Sequence, residues 1–445
     1  MSAVMLALGF TSCSLEKGEL SNKTEQEGKA TSMTVSITFP KNDTFTKGTG
    51  DSNATANEAQ VNTMDVFIYT GNGAFSSHKH LVSTDFTSVG TSGNADRYTA
   101  NAKIKTTTGS KIVFVGINLP ERIMLAVKDK PASTLAWVAQ TMNCEEVADV
   151  AKSNFVMFST PGVTSVFVED ETNPANSITV KCERLVAKVT VETDVAMIQD
   201  GFPGTMGALE FAVTNCNKKY FLVQSDAPNY QDPNWAKGSW DAADFNSIIS
   251  TYSPVLRRSV TPSPVLTDYN PQYAPENTSE GKLKKEIGRV TVRTTFIPKE
   301  IVEYANGIDG TAGYKINDSH GVTVPTTFYA YTPSVTDGTF FFFDGNIMNQ
   351  FKRDEYSNMG SSDTYTNGYC YWNIFLNKNP KDPVNRWDVL RNDYYKCNIT
   401  RIVLPGSGIA GLIDPNTTPD VDTNIDVAVE VKFWNTPILS NYVLD

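Results

Sequence analysis

The sequence predicts an all-β protein with short helices, arranged as two tandem β-sandwich domains. Three observations carry this expectation. Thr, Ser, Asn, Val and aromatic residues are plentiful, and β-branched and aromatic side chains suit a pleated, half-buried surface. Short apolar/polar alternations recur along the chain with turn residues between them, the pattern of sandwich strands. No apolar repeat of helical period lasts beyond about three turns. Two short helical candidates remain, around Pro120 to Val127 and Ala132 to Met142. The 445 residues suffice for two or three cores.

Residues 1–12, MSAVMLALGFTS, are uncharged and mostly apolar. They are too short to span a bilayer and read as the h-region of a signal peptide whose basic start is expected upstream. Cys13 follows Phe10-Thr11-Ser12, small residues before a cysteine as at a lipoprotein signal peptidase site, and a polar stretch runs from Ser14 to Thr31. Cys13 is therefore expected to carry lipid.

The next stretch, SMTVSITF (Ser32 to Phe39), sets Val35, Ile37 and Phe39 on one face and Thr34, Ser36 and Thr38 on the other. It reads as an isolated strand. From Pro40 to about Gln60 the chain is polar, and Lys47-Gly48 lies in its middle, where a trypsin-like protease meets an extended backbone.

Residues 48–200 form the expected first sandwich domain, from VNTMDVFIYT (Val61 to Thr70) to SITVKCERLVAKVTVET (Ser177 to Thr193). In the latter, Ile178, Val180 and Cys182 share one phase while Leu185, Ala187, Val189 and Val191 share the other. A bulge near Glu183 and Arg184 would reconcile the two. Residues 201–445 form the expected second domain: ALEFAVTN and KYFLVQ, a polar excursion from Ser225 to Lys285, then strands up to DVAVEVKFW. That closing strand puts Val427, Val429, Val431 and Phe433 on one face and Asp426, Glu430 and Lys432 on the other.

Charge and motifs exclude several functions. The 38 basic and 49 acidic residues give a net charge of -11 without any basic cluster, so nucleic acid and anionic membrane surfaces are poor partners. GSGIAG (Gly406 to Gly411) fits G-x-G-x-x-G, but Pro415 and Pro419 leave no room for the helix that a dinucleotide loop needs. Asp420, Asp422 and Asn424 open like a calcium loop, yet Ile425 and Val431 occupy the places of its Gly and Glu. His78 and His80 have no third ligand in view and read as a hairpin tip. Cys144, Cys182, Cys216, Cys370 and Cys397 make neither a disulfide framework nor a CxxC pair and read as buried thiols. No nucleophile or metalloprotease motif occurs, so no enzyme and no cofactor is expected. Trp235, Trp240, Tyr252, Tyr269 and Tyr273 read as rings that pack the excursion onto its own domain. A monomeric outer-surface lipoprotein that binds glycans through them is the alternative.

Taken in order, ERLVAKVTV (Glu183 to Val191), VTVRTTFIPK (Val290 to Lys299), VLRNDYYKCNITRI (Val389 to Ile402), VEVKFW and YVLD resemble the fimbrillins of oral and gut Gram-negative anaerobes. Within that FimA/Mfa superfamily the Mfa-type shaft subunit of the short fimbriae is most similar. The resemblance implies two transthyretin-like β-sandwich domains and export as a palmitate-bearing lipoprotein on Cys13. It implies trimming by a trypsin-like protease, then polymerisation into a surface fimbria with accessory anchor and tip subunits, serving adhesion and biofilm formation. Members cut after Arg carry Arg at the site, whereas the first Arg here is Arg97. Lys47 is thus the expected site, with cleavage before Gly48, and Lys41 is second. By the same resemblance Val35, Ile37 and Phe39 belong to a displaceable strand of a propeptide spanning 13–47. Val427, Val429, Val431 and Phe433 belong to a donor segment, 425–445, that replaces it in another copy.

Overall fold

The computed structural model describes residues 28–39, 56–89, 97–193, 198, 201–225, 230–236, 238, 240–242, 245–246, 252–257, 271–306, 311–334, 336–376, 387–411, 414–419 and 425–433. Strands dominate and the helices are few and short. No helix among the described residues is long and apolar enough to cross a membrane.

One ten-stranded sheet runs Phe75–Val82, Thr63–Thr70, Gly109–Ile117, Met157–Ser159, Ser177–Arg184, Ala30–Thr38, Arg97–Ala100, Phe86–Val89, with Val163–Phe167 on Gly109–Ile117 and Ile104–Thr107 on Ala30–Thr38. Ser177–Arg184 shows why alternation makes a strand here: Ile178, Val180 and Cys182 are buried while Ser177, Thr179 and Lys181 are exposed. Its inward residues join those of the strand Thr63–Thr70, second from one edge, where Met64, Val66, Phe67, Ile68 and Tyr69 are fully buried, in one core. A strand covered on both faces has no need to alternate.

At Leu185 the chain changes sheets. Val186–Thr193 is a separate strand that runs parallel to Asp393–Ile402 and antiparallel to Gln272–Pro275. The phase change near Glu183 is thus a passage from one core to the next, where the sequence suggested a bulge. Leu185 and Val186 still belong to the first core; Ala187, Val189 and Val191 belong to a second one with Phe211, Val213, Val290, Val292 and Trp372.

The helix Glu121–Val127 lies where expected. The second expected helix is shorter, Ser133–Trp137, because only Leu135 is buried along it, and Gln140–Thr141 pairs instead with Lys219–Tyr220. A further helix, Gly345–Tyr356, was not expected. Asp344 caps it by accepting from the Asn346 N–H at 2.7 Å, and Met348 and Phe351 bury it in a third apolar cluster with Val302, Tyr331 and Phe342.

Between the first and second cores lies a buried polar knot. Glu58, on the short turn Ala56–Ala59, is 2 % exposed. Its carboxylate accepts from Lys188 Nζ at 2.8 Å and from the Tyr273 hydroxyl at 2.8 Å, and its carbonyl accepts from Arg184 Nε at 2.9 Å. Arg184 Nη1 in turn donates to Asn392 Oδ1 at 3.2 Å.

Candidate functional site at the first and last strands

The first described strand, Ala30–Thr38, lies in the interior of its sheet. Residues 34–38 run parallel to 177–181, in the register Thr34↔Ser177 to Thr38↔Lys181. On the other side residues 30–33 pair antiparallel with Ile104–Thr107, and residues 36–38 with Arg97–Thr99.

The expected inward residues Val35 and Ile37 are fully buried and Phe39 is 4 % exposed. Met33 joins them at 0 %; it has the same phase, and extending the alternation by one step finds it. Burying four such side chains contributes about 6 to 12 kcal/mol gross, at roughly 1.5 to 3 each. The ring of Phe39 meets that of Tyr98 edge-on, 6.0 Å apart at 80°.

The opposite face is polar yet largely covered, which alternation alone did not reveal. Ser36 is 1 % exposed, shares a hydrogen bond with the Thr99 hydroxyl at 2.9 Å, and accepts from Arg97 Nη2 at 3.1 Å. On the Met33 side of the strand, the Thr31 hydroxyl donates to the Val168 carbonyl at 2.7 Å. Asn176 Nδ2 donates to Thr31 Oγ1 at 3.1 Å and to the Ser32 carbonyl at 3.2 Å. The hydroxyls of Ser32, on the polar face, and of Thr106, opposite Thr31 on the Met33 side, are buried without a hydrogen-bond partner, and such groups cost about 1 to 3 kcal/mol each. Lys29 pairs with Glu169 at 2.5 Å, both side chains half exposed, a contact worth at most about 1 kcal/mol.

Among the described pairings, Ile104–Thr107 has no partner strand except the first, and Arg97–Ala100 otherwise keeps only Phe86–Val89. The first strand therefore connects three neighbours that do not touch one another's ladders.

The last described strand, Ile425–Phe433, is its positional opposite. It lies at the edge of a five-stranded sheet, antiparallel to Asp393–Ile402, with Val427↔Ile399, Val429↔Cys397, Val431↔Tyr395 and Phe433↔Asp393. The strand at the chain's end thus pairs with one upstream of it. Val427 is half-buried against the second core. Asp393–Ile402 keeps its parallel partner Val186–Thr193 whether or not the last strand is present. Cys13, Lys41, Lys47 and Gly48 lie outside the described residues, as do Asp420, Asp422, Asn424 and Tyr269.

The remaining motifs are structural where they are described. Gly406 and Gly408 pack so closely on Tyr371 and Thr364 that a Cβ on either would overlap a backbone carbonyl oxygen, and the Gly408 N–H donates to Asp363 Oδ2 at 2.7 Å. His78 and His80 stand along the strand Phe75–Val82, not at its turn, and both bond the same oxygen of buried Asp65, at 2.9 and 2.8 Å. Among the described residues no group of His, Cys, Asp or Glu is arranged to hold a metal ion. Cys144, Cys182, Cys216, Cys370 and Cys397 are buried and unbridged; burial pushes the Cys397 thiol up to about 12, so it is no nucleophile at neutral pH. Tyr273 is buried, and the Arg293 guanidinium covers the Tyr252 ring at 3.7 Å.

Two family models match the chain. Residues 31–199 match "Major fimbrial subunit protein (FimA)", and residues 363–437 match "Major fimbrial subunit protein type IV, Fimbrillin, C-terminal". The first match opens on the first strand and the second takes in the last. Among solved structures, a candidate cell adhesion protein from Parabacteroides distasonis is 14% identical at a TM-score of 0.50, covering 93% of this chain and 99% of its own. A second from the same organism is 13% identical at 0.50, over 92% and 99%. A fimbrilin from Porphyromonas gingivalis is 13% identical at 0.47, over 91% and 98%. The first two share the fold with this chain. No curated protein matches it.

Proposed function

Because the chain belongs to the fimbrillins, a family of fimbrial structural subunits, we propose that it polymerises into a surface fimbria by strand exchange after a proteolytic cut. The precursor is exported as a lipoprotein anchored to the outer membrane through Cys13. A trypsin-like protease cuts after Lys47, with Lys41 as the second candidate, and makes residues 13–47 a separate peptide. Once that peptide leaves, no covalent tether returns it.

Its departure strips Val35, Ile37 and Phe39 from the first of two sandwich domains and leaves apolar walls and unpaired backbone, a state that edges normally avoid. The donor segment 425–445 of another copy fills the groove by β-strand addition, through Val427, Val429, Val431 and Phe433. Donor and groove lie on different parts of the molecule, so the contact is head-to-tail and builds an open filament. Accessory anchor and tip subunits terminate it, and the fibre supports adhesion and biofilm formation.

The observation that carries this reading is a contrast of position. The strand upstream of the cut sits inside a sheet, where its loss leaves a slot with two sides, whereas the last strand sits at an edge, from which it can depart without breaking any other pairing. The gross burial of the first strand, about 6 to 12 kcal/mol, is comparable with a domain's net stability of about 5 to 15. A groove that large does not stay empty. The test is electron microscopy, with N-terminal sequencing, of full chain treated with a trypsin-like protease: filaments whose subunits begin at Gly48 are expected. Trimmed protein that remains monomeric at high concentration would overturn the reading.

A further inference from the structure

Resting on the strand-exchange reading, we infer that the incoming strand adopts one register, Val427, Val429, Val431 and Phe433 in the places of Met33, Val35, Ile37 and Phe39, and that Arg97 selects it through Glu430.

The register follows from two stretches of this sequence and one ring contact. Met33 to Phe39 reads MTVSITF and Val427 to Phe433 reads VAVEVKF. Both place an apolar side chain at every second position and both close on Phe. Laid in the same direction, Phe433 falls where Phe39 meets the Tyr98 ring edge-on at 6.0 Å, and three valines fall at the fully buried places of Met33, Val35 and Ile37. A slip of one residue would turn Glu430 and Lys432 into the core. A slip of two would move Phe433 off the Tyr98 site. The incoming strand thus runs parallel to Ser177–Arg184, as Ala30–Thr38 does.

The polar face then carries the selectivity. Ala428, Glu430 and Lys432 take the places of Thr34, Ser36 and Thr38. Ser36 stands opposite Thr99 and accepts from Arg97 Nη2 at 3.1 Å. A carboxylate at that rung replaces a neutral acceptor with a charged one, so the Arg97 hydrogen bond becomes an ion pair that a guanidinium can make bidentate. Arg97 is exposed, so its guanidinium has room to withdraw for the longer side chain. Lys432 takes the rung directly opposite Arg97, that of Thr38, and Glu430, two residues along the same face, is the diagonal neighbour of Arg97 and offsets the two facing cations. The groove therefore holds the departing peptide through a neutral hydroxyl and the arriving strand through an ion pair, which favours exchange in one direction.

The test uses protease-trimmed protein and the peptide Ile425 to Phe433 as probe. The native peptide should bind, and the Glu430→Arg peptide should bind about tenfold more weakly or worse, since like charges across an interface are strongly disfavoured. Arg97→Glu protein should reverse that order, and Arg97→Gln, a milder change, should make the two peptides equal. In the full chain, Arg97→Glu and Glu430→Arg should each suppress filaments and the double variant should restore them. Tyr98→Ala should weaken the native peptide while leaving a Phe433→Ala peptide unchanged, which fixes the direction. Equal binding of both peptides to wild-type protein, or an Arg97→Glu protein with unaltered preference, would overturn the inference alone. A native peptide that does not bind at all would overturn the strand-exchange reading with it.

Discussion

Glu58 and Lys188 form a fully buried ion pair, Oε1 to Nζ 2.8 Å, between residues 130 positions apart. Tyr273 bonds the same carboxylate at 2.8 Å from within the polar excursion. A turn shortly after the proposed cut therefore fastens three distant parts of the chain. Breaking a buried pair from one side costs about 3 to 5 kcal/mol, whereas replacing both partners by apolar groups is often neutral. Glu58→Gln should lower unfolding stability by that amount in urea melts, and Glu58→Gln with Lys188→Met should recover most of it. A loss below about 1 kcal/mol would place the pair among surface contacts.

The same pair gives a pH signature. Burial holds the Lys188 ammonium down at about 8, with Glu58 acting in the opposite direction. In Glu58→Gln that support is gone, and the folded pKa moves further below the unfolded value of about 10.4. Between the two, the unfolded chain binds more protons than the folded one, so stability rises with pH. The variant's deficit should narrow between about pH 7 and pH 8, where wild-type Lys188 is still charged in both states. A deficit independent of pH over that interval would contradict this.

Ile37→Ala should cost about 2 to 5 kcal/mol in uncut protein, the usual loss for a large-to-small change at a fully buried site. In trimmed, polymerised protein the same substitution should be silent, because the residue has left. Thermal melts of both forms decide, and an equal loss in each would mean that the strand stays.

Lys47→Ala should leave the precursor at full length under a trypsin-like protease, apart from slower cutting at Lys41. N-terminal sequencing reads this directly: a start at Gly48 in the variant would remove Lys47 from the pathway.

Val429→Asp should yield soluble, folded subunits that trim normally and do not polymerise. An aspartate at a position that enters the groove, as Val429 does on the strand-exchange reading, carries a desolvation cost of several kcal/mol. Size-exclusion chromatography after trimming separates monomer from polymer, and abundant polymer from this variant would count against the donor assignment.

What could be read from the chain was its alternation, because period two survives wherever one face is wet. Val35, Ile37 and Phe39 were legible for that reason, as was the strand of Val427 to Phe433. The step at Leu185 was not, since a bulge and a change of sheet produce the same shift of phase, and only the pairing partners distinguish them. Gly345–Tyr356 escaped notice because few of its residues are apolar, although Asp344 before Asn346 was a cap signal in plain sight. Glu58 had no local signal at all; its partners lie 130 and 215 positions away. Arg97 was equally silent, because its contact with Ser36 depends on which strands become neighbours.

Since, among the described residues, Ala30–Thr38 alone joins Ile104–Thr107 and Arg97–Ala100 to Ser177–Arg184, a subunit trimmed as proposed and left unfilled is perishable. Its fate becomes a race between meeting a neighbour and losing shape, won by crowding and lost by dilution. On the strand-exchange reading, a cell that builds with such parts must cut them where the fibre is already growing.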